Sequence, residues 1–141
     1  MPASTTTDRD SLIAGGLPTI FITDMDRAVR FYTETLGLGL VHRAGEQFAM
    51  IDAGRGVMIG LHPPSDSAPK PGTPGAIQLG LNVTRPIEQV VAELQSRGVA
   101  FHRPGSGETT TDTPIVDDGA VKLAFLNDPD GNELYLCESQ S

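Results

Sequence analysis

Two pairs of landmarks in this chain are separated by the same interval. Thr23 and Thr84 each close an apolar stretch and precede a helical pattern, Gly37 and Gly98 each stop one, and both pairs lie 61 residues apart. Equal offsets at the start and the end of a helix indicate duplication of a whole unit. The period is longer than the repeats of about 20–50 residues that stack into solenoids, so it predicts two modules facing each other.

Each module reads as strand, helix and three further strands. Leu17 to Thr23 is a β-branched and aromatic strand, and Thr23 or Asp24 can cap the helix that follows. Met25, Ala28, Val29, Tyr32 and Leu36 fall on one helical face, and Gly37 ends the pattern. Short strands follow at Gly39 to Arg43, Phe48 to Asp52 and Val57 to His62, divided by Gly45 and by Gly54-Arg55-Gly56. The stretch from Pro63 to Gly75 is rich in proline and small polar residues and cannot continue a sheet, which makes it a linker. Beyond it come a strand at Ala76 to Val83 and a helix at Thr84 to Arg97, with Pro86 in its first turn and Ile87, Val90, Val91 and Leu94 on one face. Strands are expected at Val99 to Arg103, Thr113 to Val116, Val121 to Asn127 and Glu133 to Glu138, with Asp118-Gly119 as a hairpin turn. The expected layout is a flexible tail over 1–14, a first module over 15–62, a linker over 63–75 and a second module over 76–138, together one structural domain.

The last hairpin is the most specified local element. In Asn127-Asp128-Pro129-Asp130-Gly131-Asn132-Glu133, Pro129 sets φ at a turn position, Asp130 can bond its own backbone, and Gly131 tolerates a left-handed φ.

Composition narrows the function. With 18 acidic and 10 basic residues the formal charge is −8, which removes the basic footprint that nucleic acid or an anionic membrane requires. No apolar run reaches membrane-spanning length and no basic-then-apolar leader opens the chain, so a cytoplasmic location is expected. Cys137 is the single cysteine, which excludes an intrachain disulfide, and its place in an apolar alternation reads as a buried, inert thiol. Nucleophile elbows, phosphate loops and dinucleotide fingerprints are absent; Gly105-Ser106-Gly107 lacks the strand-then-helix context.

The duplicated βαβββ unit, the helix Asp24-Met25-Asp26-Arg27-Ala28-Val29-Arg30-Phe31-Tyr32 and the segment Phe125 to Glu133 together resemble the vicinal oxygen chelate superfamily, which includes glyoxalase I, extradiol dioxygenases and bleomycin-resistance proteins. The resemblance covers Leu17 to Glu138. It implies an α+β fold in which two βαβββ modules form a cup-shaped mixed sheet, and a homodimer whose cups draw modules from two chains. Family enzymes carry a metal ligand on the first and last strand of each module, and the matching positions here are Leu17, Gly60, Ala76 and Tyr135. Three offer no side-chain donor and a neutral phenol is a poor ligand, so no metal cofactor is expected. A two-residue slip, which preserves the strand face, would instead offer His62, Gln78 and Glu133 as a displaced divalent-metal site.

Strand alternation puts Met58, Gly60 and His62, then Ala76, Gln78 and Gly80, then Glu133, Tyr135 and Cys137 on the face that would line the cup. Met58, His62, Gln78 and Tyr135 are the candidate ligand-binding residues. Gly60, Ala76 and Gly80 would leave room for a small organic ligand, or the same residues fill a small core. His62, Glu133 and Tyr135 are the candidate acids and bases of a metal-free enzyme; their alternative roles are a loop histidine, a solvated carboxylate and a packed ring. His42 and His102 read as outward positions. The expected activity is metal-independent binding of a small organic molecule, with a lyase, isomerase or dioxygenase as the alternative.

Overall fold

The computed structural model describes residues 12–102, 109–110 and 114–139. Most of the expected N-terminal tail, together with Arg103 and Thr113, lies outside those residues.

Asp24 caps the first helix, its carboxylate accepting from Arg27 N at 3.1 Å. Helix α1 spans Met25–Arg30 and continues as a π-helical turn over Phe31–Thr35, where Leu36 N donates to Phe31 O at 2.9 Å. The wider turn keeps Tyr32 on the buried side with Met25, Ala28 and Val29, and Gly37 ends the run at φ +80°. Helix α2, Ile87–Ser96, buries Ile87, Val91 and Leu94. Its first amide, Ile87 N, is capped at 2.7 Å by Glu138 from the last strand, because Pro86 has no capping side chain.

Strands β1 (Thr19–Phe21), β2 (Gly39–Ala44), β3 (Phe48–Gly54) and β4 (Val57–His62) form one sheet in the order β1-β4-β3-β2. The second sheet contains β5 (Gln78–Asn82), β6 (Phe101–His102), β7 (Thr109–Thr110), β8 (Ile115–Asp117), β9 (Val121–Asn127) and β10 (Glu133–Ser139). Its order is β5-β10-β9-β6-β7, with β8 also paired to β9. In each sheet the first strand lies parallel to the last: Thr19 opposes Gly60, and Gly80 opposes Tyr135. Gly80 stands 61 positions after Thr19, so the helix offset seen in the sequence also governs strand register.

Each sheet has one face covered by helix and one face left open. Ile20, Ala49, Ile51, Ile59 and Leu61 of the first sheet, with Ile22 just after β1, join Phe101, Ala124, Leu126, Leu134 and Leu136 of the second in a core under both helices. The Asp128-to-Asn132 turn does more than join two strands. Asp128 Oδ1 accepts from the amides of Asp130 and Asn132, both at 2.9 Å, and its Oδ2 accepts from Tyr32 Oη at 2.8 Å. The Asn132 amide donates to Phe21 O at 2.9 Å, while its oxygen receives Gly72 N at 2.9 Å. Asp130, expected to bond its own backbone, reaches instead to the first module, accepting from Thr23 N at 3.1 Å and Arg27 Nη2 at 3.3 Å. Among the described residues no helix is long and apolar enough to cross a membrane.

Candidate functional site

The open face of the second sheet holds a row of rings across three strands. His102 of β6 opposes Phe125 of β9, which opposes Tyr135 of β10, and residues directly opposite in antiparallel strands share a face. The ring centroids are 6.4 Å apart for His102–Phe125 and 5.7 Å for Phe125–Tyr135. Phe125 is buried beneath its neighbours, while His102 and Tyr135 are half-buried. The Tyr135 ring continues the row over β5: a Cβ built on Gly80 would collide with its Cζ and Oη. Gly80 therefore admits the ring close to the backbone, where any side chain would displace it.

At the head of this row Gln78 and Glu133 oppose each other in register, and Gln78 Nε2 donates to Glu133 Oε2 at 2.5 Å. Asn127 opposes Glu133 on the other side, with its Oδ1 3.2 Å from His102 Nε2. Cys137 lies farther along, between Asn82 and Leu123; it is half-buried on the open face rather than buried as expected.

On the first sheet the open face carries Met58, Gly60 and His62 of β4, with Phe48, Met50 and Asp52 of β3 opposite or adjacent. His62 Nδ1 lies 2.7 Å from Pro63 O, and its ring packs edge-on to Phe21 at 5.6 Å. A Cβ on Gly60 would meet Leu17 Cδ1 at 2.9 Å and Phe48 Cε1 at 3.0 Å. The room expected over Gly60 and Gly80 is thus already filled, by Leu17 and Phe48 in one case and Tyr135 in the other. His42 opposes Met50, so both His42 and His102 occupy open faces and not the outward positions expected of them. Ala76 precedes β5 and lines a separate cleft of about 100 Å³ with Thr19, Phe21 and Asn132.

The register also tests the metal positions. If Thr19 corresponds to Gly80 and Gly60 to Tyr135, then Leu17 corresponds to Gln78, two residues back in each module, and not to Ala76. The quartet becomes Leu17, Gly60, Gln78 and Tyr135, in which only Gln78 carries an ordinary oxygen donor. These residues do not fit the divalent ion of the family's enzymes. Among the described residues no group of three or more His, Cys, Asp or Glu side chains is placed to hold a metal. Of the displaced trio, Gln78 and Glu133 meet on the second sheet, whereas His62 engages Phe21 and Pro63 on the first.

Electrostatic strain concentrates away from the open faces. Burial raises the Tyr32 pKa well above the ordinary phenol value, and the adjacent Asp128 carboxylate raises it further. Burial also raises the Asp128 pKa, against the lowering effect of hydrogen bonds from Asn132 and Tyr32. Both groups serve the junction between the modules.

Phe125 and Phe48 are open-face residues that the sequence reading did not single out, and Leu17 and His102 entered it only as an empty metal position and an outward histidine. Alternation within β9 and β10 would have found Phe125, one position opposite Tyr135; His102 becomes legible only when the two-residue strand β6 is paired.

A family model described as Glyoxalase/Bleomycin resistance protein/Dioxygenase superfamily matches residues 16–136. A virulence protein of Salmonella typhimurium is 31% identical over 123 residues, covering 83% of this chain and 78% of that protein. Among solved structures, a glyoxalase/bleomycin resistance protein/dioxygenase superfamily member from Sphaerobacter thermophilus is 28% identical, with a TM-score of 0.69 over 92% of this chain and 100% of its own. TnmS3, an antibiotic-binding protein from a Streptomyces species, is 25% identical, with a TM-score of 0.63 over 92% of this chain and 99% of its own.

Proposed function

Because the chain belongs to the glyoxalase/bleomycin resistance/dioxygenase superfamily, we propose that it is a metal-independent member that binds a small organic molecule on its open sheet faces. The observation that carries this reading is the quartet Leu17, Gly60, Gln78 and Tyr135, of which Leu17, Gly60 and Tyr135 offer no ordinary ligand, while Gly60, and Gly80 opposite Tyr135, are covered by apolar or aromatic groups. The antibiotic-binding activity of TnmS3 supports the class of function. Tyr135 and Met58 supply adaptable apolar contact, and Gln78 and His62 supply hydrogen bonds.

The site is completed in a homodimer, the first sheet of one copy closing over the second sheet of the other. Leu17 and Val116, 37% and 40% exposed, lie on the open-face side and gain cover in such an arrangement.

The test is a thermal-shift and calorimetric screen of the purified protein with divalent metals and with uncharged and cationic antibiotics, beside sedimentation for the oligomeric state. Ligand-dependent stabilisation that survives chelation is the expected result. A stoichiometric divalent metal whose removal lowers Tm overturns the reading in favour of a metal-dependent enzyme.

A further inference from the structure

The open faces are chemically one-sided. At their paired strand positions stand two carboxylates, Asp52 and Glu133, and no lysine or arginine. Among the described residues, the basic side chains within these strands are used elsewhere: Arg43 pairs with Asp26 and Glu46, and Lys122, on the helix side of β9, pairs with Glu88. Arg55 lies in the β3–β4 turn beside the Gly80-to-Thr84 end of β5, whereas Glu133 stands at the Gln78 end.

Glu133 is half-buried and has no ion pair among the described residues. Its Oε2 receives the Gln78 amide, a neutral donor that leaves the charge uncompensated, and its Oε1 has no hydrogen bond among the described residues. A partly desolvated carboxylate without a counter-ion gains from an external cation more than a solvated one does. Two positions along the same strand and on the same face, Tyr135 offers an aromatic ring flanked by Phe125 of the neighbouring strand. A ring face attracts a cation through its quadrupole, so carboxylate and phenol select for the same charge.

We propose that this face recognises a flat organic cation, an aromatic or ammonium-bearing ring system, with its ring over Tyr135 and its charge at Glu133 Oε1. The selection rests on the binding reading above and adds a rule to it: cations before neutral isosteres, and neutral isosteres before anions. Gln78 holds the carboxylate in place and orients its unpaired oxygen.

Three planar three-ring probes test the rule by fluorescence and calorimetric titration: proflavine as the cation, 9-anthracenemethanol as the neutral compound and 9-anthracenecarboxylate as the anion. The expected order is proflavine tightest by about tenfold over 9-anthracenemethanol, with 9-anthracenecarboxylate weaker still. Glu133→Gln should weaken proflavine about tenfold while leaving 9-anthracenemethanol within about twofold. Tyr135→Leu should weaken both. If all three probes bind alike, or if Glu133→Gln leaves proflavine unchanged, charge selection is overturned while small-molecule binding stands. If none of the three binds, both fail. Circular dichroism of each variant confirms that the fold is retained.

Discussion

The two ends of the Asn127-to-Glu133 turn lead into opposite regimes of the same molecule. Toward the first module, the carboxylate of Asp128 is buried and answered at both oxygens by Tyr32, Asn132 and two backbone amides. Toward the open face, five positions later, Glu133 is half-buried with one neutral donor among the described residues. The first carboxylate is satisfied from within and holds two modules together; the second meets a single neutral donor among the described residues. On the binding reading proposed above, the difference separates residues that hold the fold from residues that would meet a ligand.

That separation can be broken experimentally, most severely at Asp128. Asp128→Ala strands Tyr32 Oη and the Asp130 and Asn132 amides, and should cost about 2–4 kcal/mol in denaturant unfolding. A loss under about 0.5 kcal/mol would mean that the junction is not held by this network.

Tyr32→Phe is the milder cut, since Asp128 Oδ2 keeps the Asn132 amide. It should cost about 1–2 kcal/mol at neutral pH, with an effect on alkaline stability besides. The folded-state pKa of Tyr32 is raised, so its contribution is full below the unfolded phenol value of about 10 and is lost as pH rises through the folded value. The wild type should therefore lose Tm above about pH 10 faster than Tyr32→Phe does. Asp128 carries the same sign: its raised pKa gives a contribution present below about pH 4 that falls as pH rises through the folded value, so it does not drive acid unfolding.

The smallest stability effect belongs to the open face. Gly80→Ala pushes the Tyr135 ring off the strand, costing under about 1 kcal/mol because the displaced group is a rotatable, half-exposed side chain. Ligand affinity should fall more than stability does. Equal losses in both would show that the ring row is part of the core.

The legible part of the fold was local. Asp24, Gly37, Pro86 and Gly98 punctuate two helices, and the interval shared by Thr23–Thr84 and Gly37–Gly98 marks the duplication without any knowledge of contacts. What the sequence hid depends on pairing. Asp130 reads as a turn residue because its partners, Thr23 and Arg27, stand more than a hundred positions away. His102 reads as outward because β6 is two residues long and has no alternation of its own to set its face. Gly60 and Gly80 read as vacant space because a glycine in a strand looks the same whether a cavity or a neighbouring ring lies above it; only the position of Leu17, Phe48 and Tyr135 decides.

The hydrogen bonds that seat α1 and β1 against the last hairpin carry a consequence for the order of assembly. Tyr32 waits for a residue 96 positions later and Phe21 for one 111 positions later, so the first module cannot complete its polar contacts until nearly the whole chain is available. Contacts of such separation close late and slow the search for the native state. During synthesis the N-terminal half would leave the ribosome with its own sheet and helix but with the Tyr32 hydroxyl unmet, and the C-terminal hairpin would act as the final clasp.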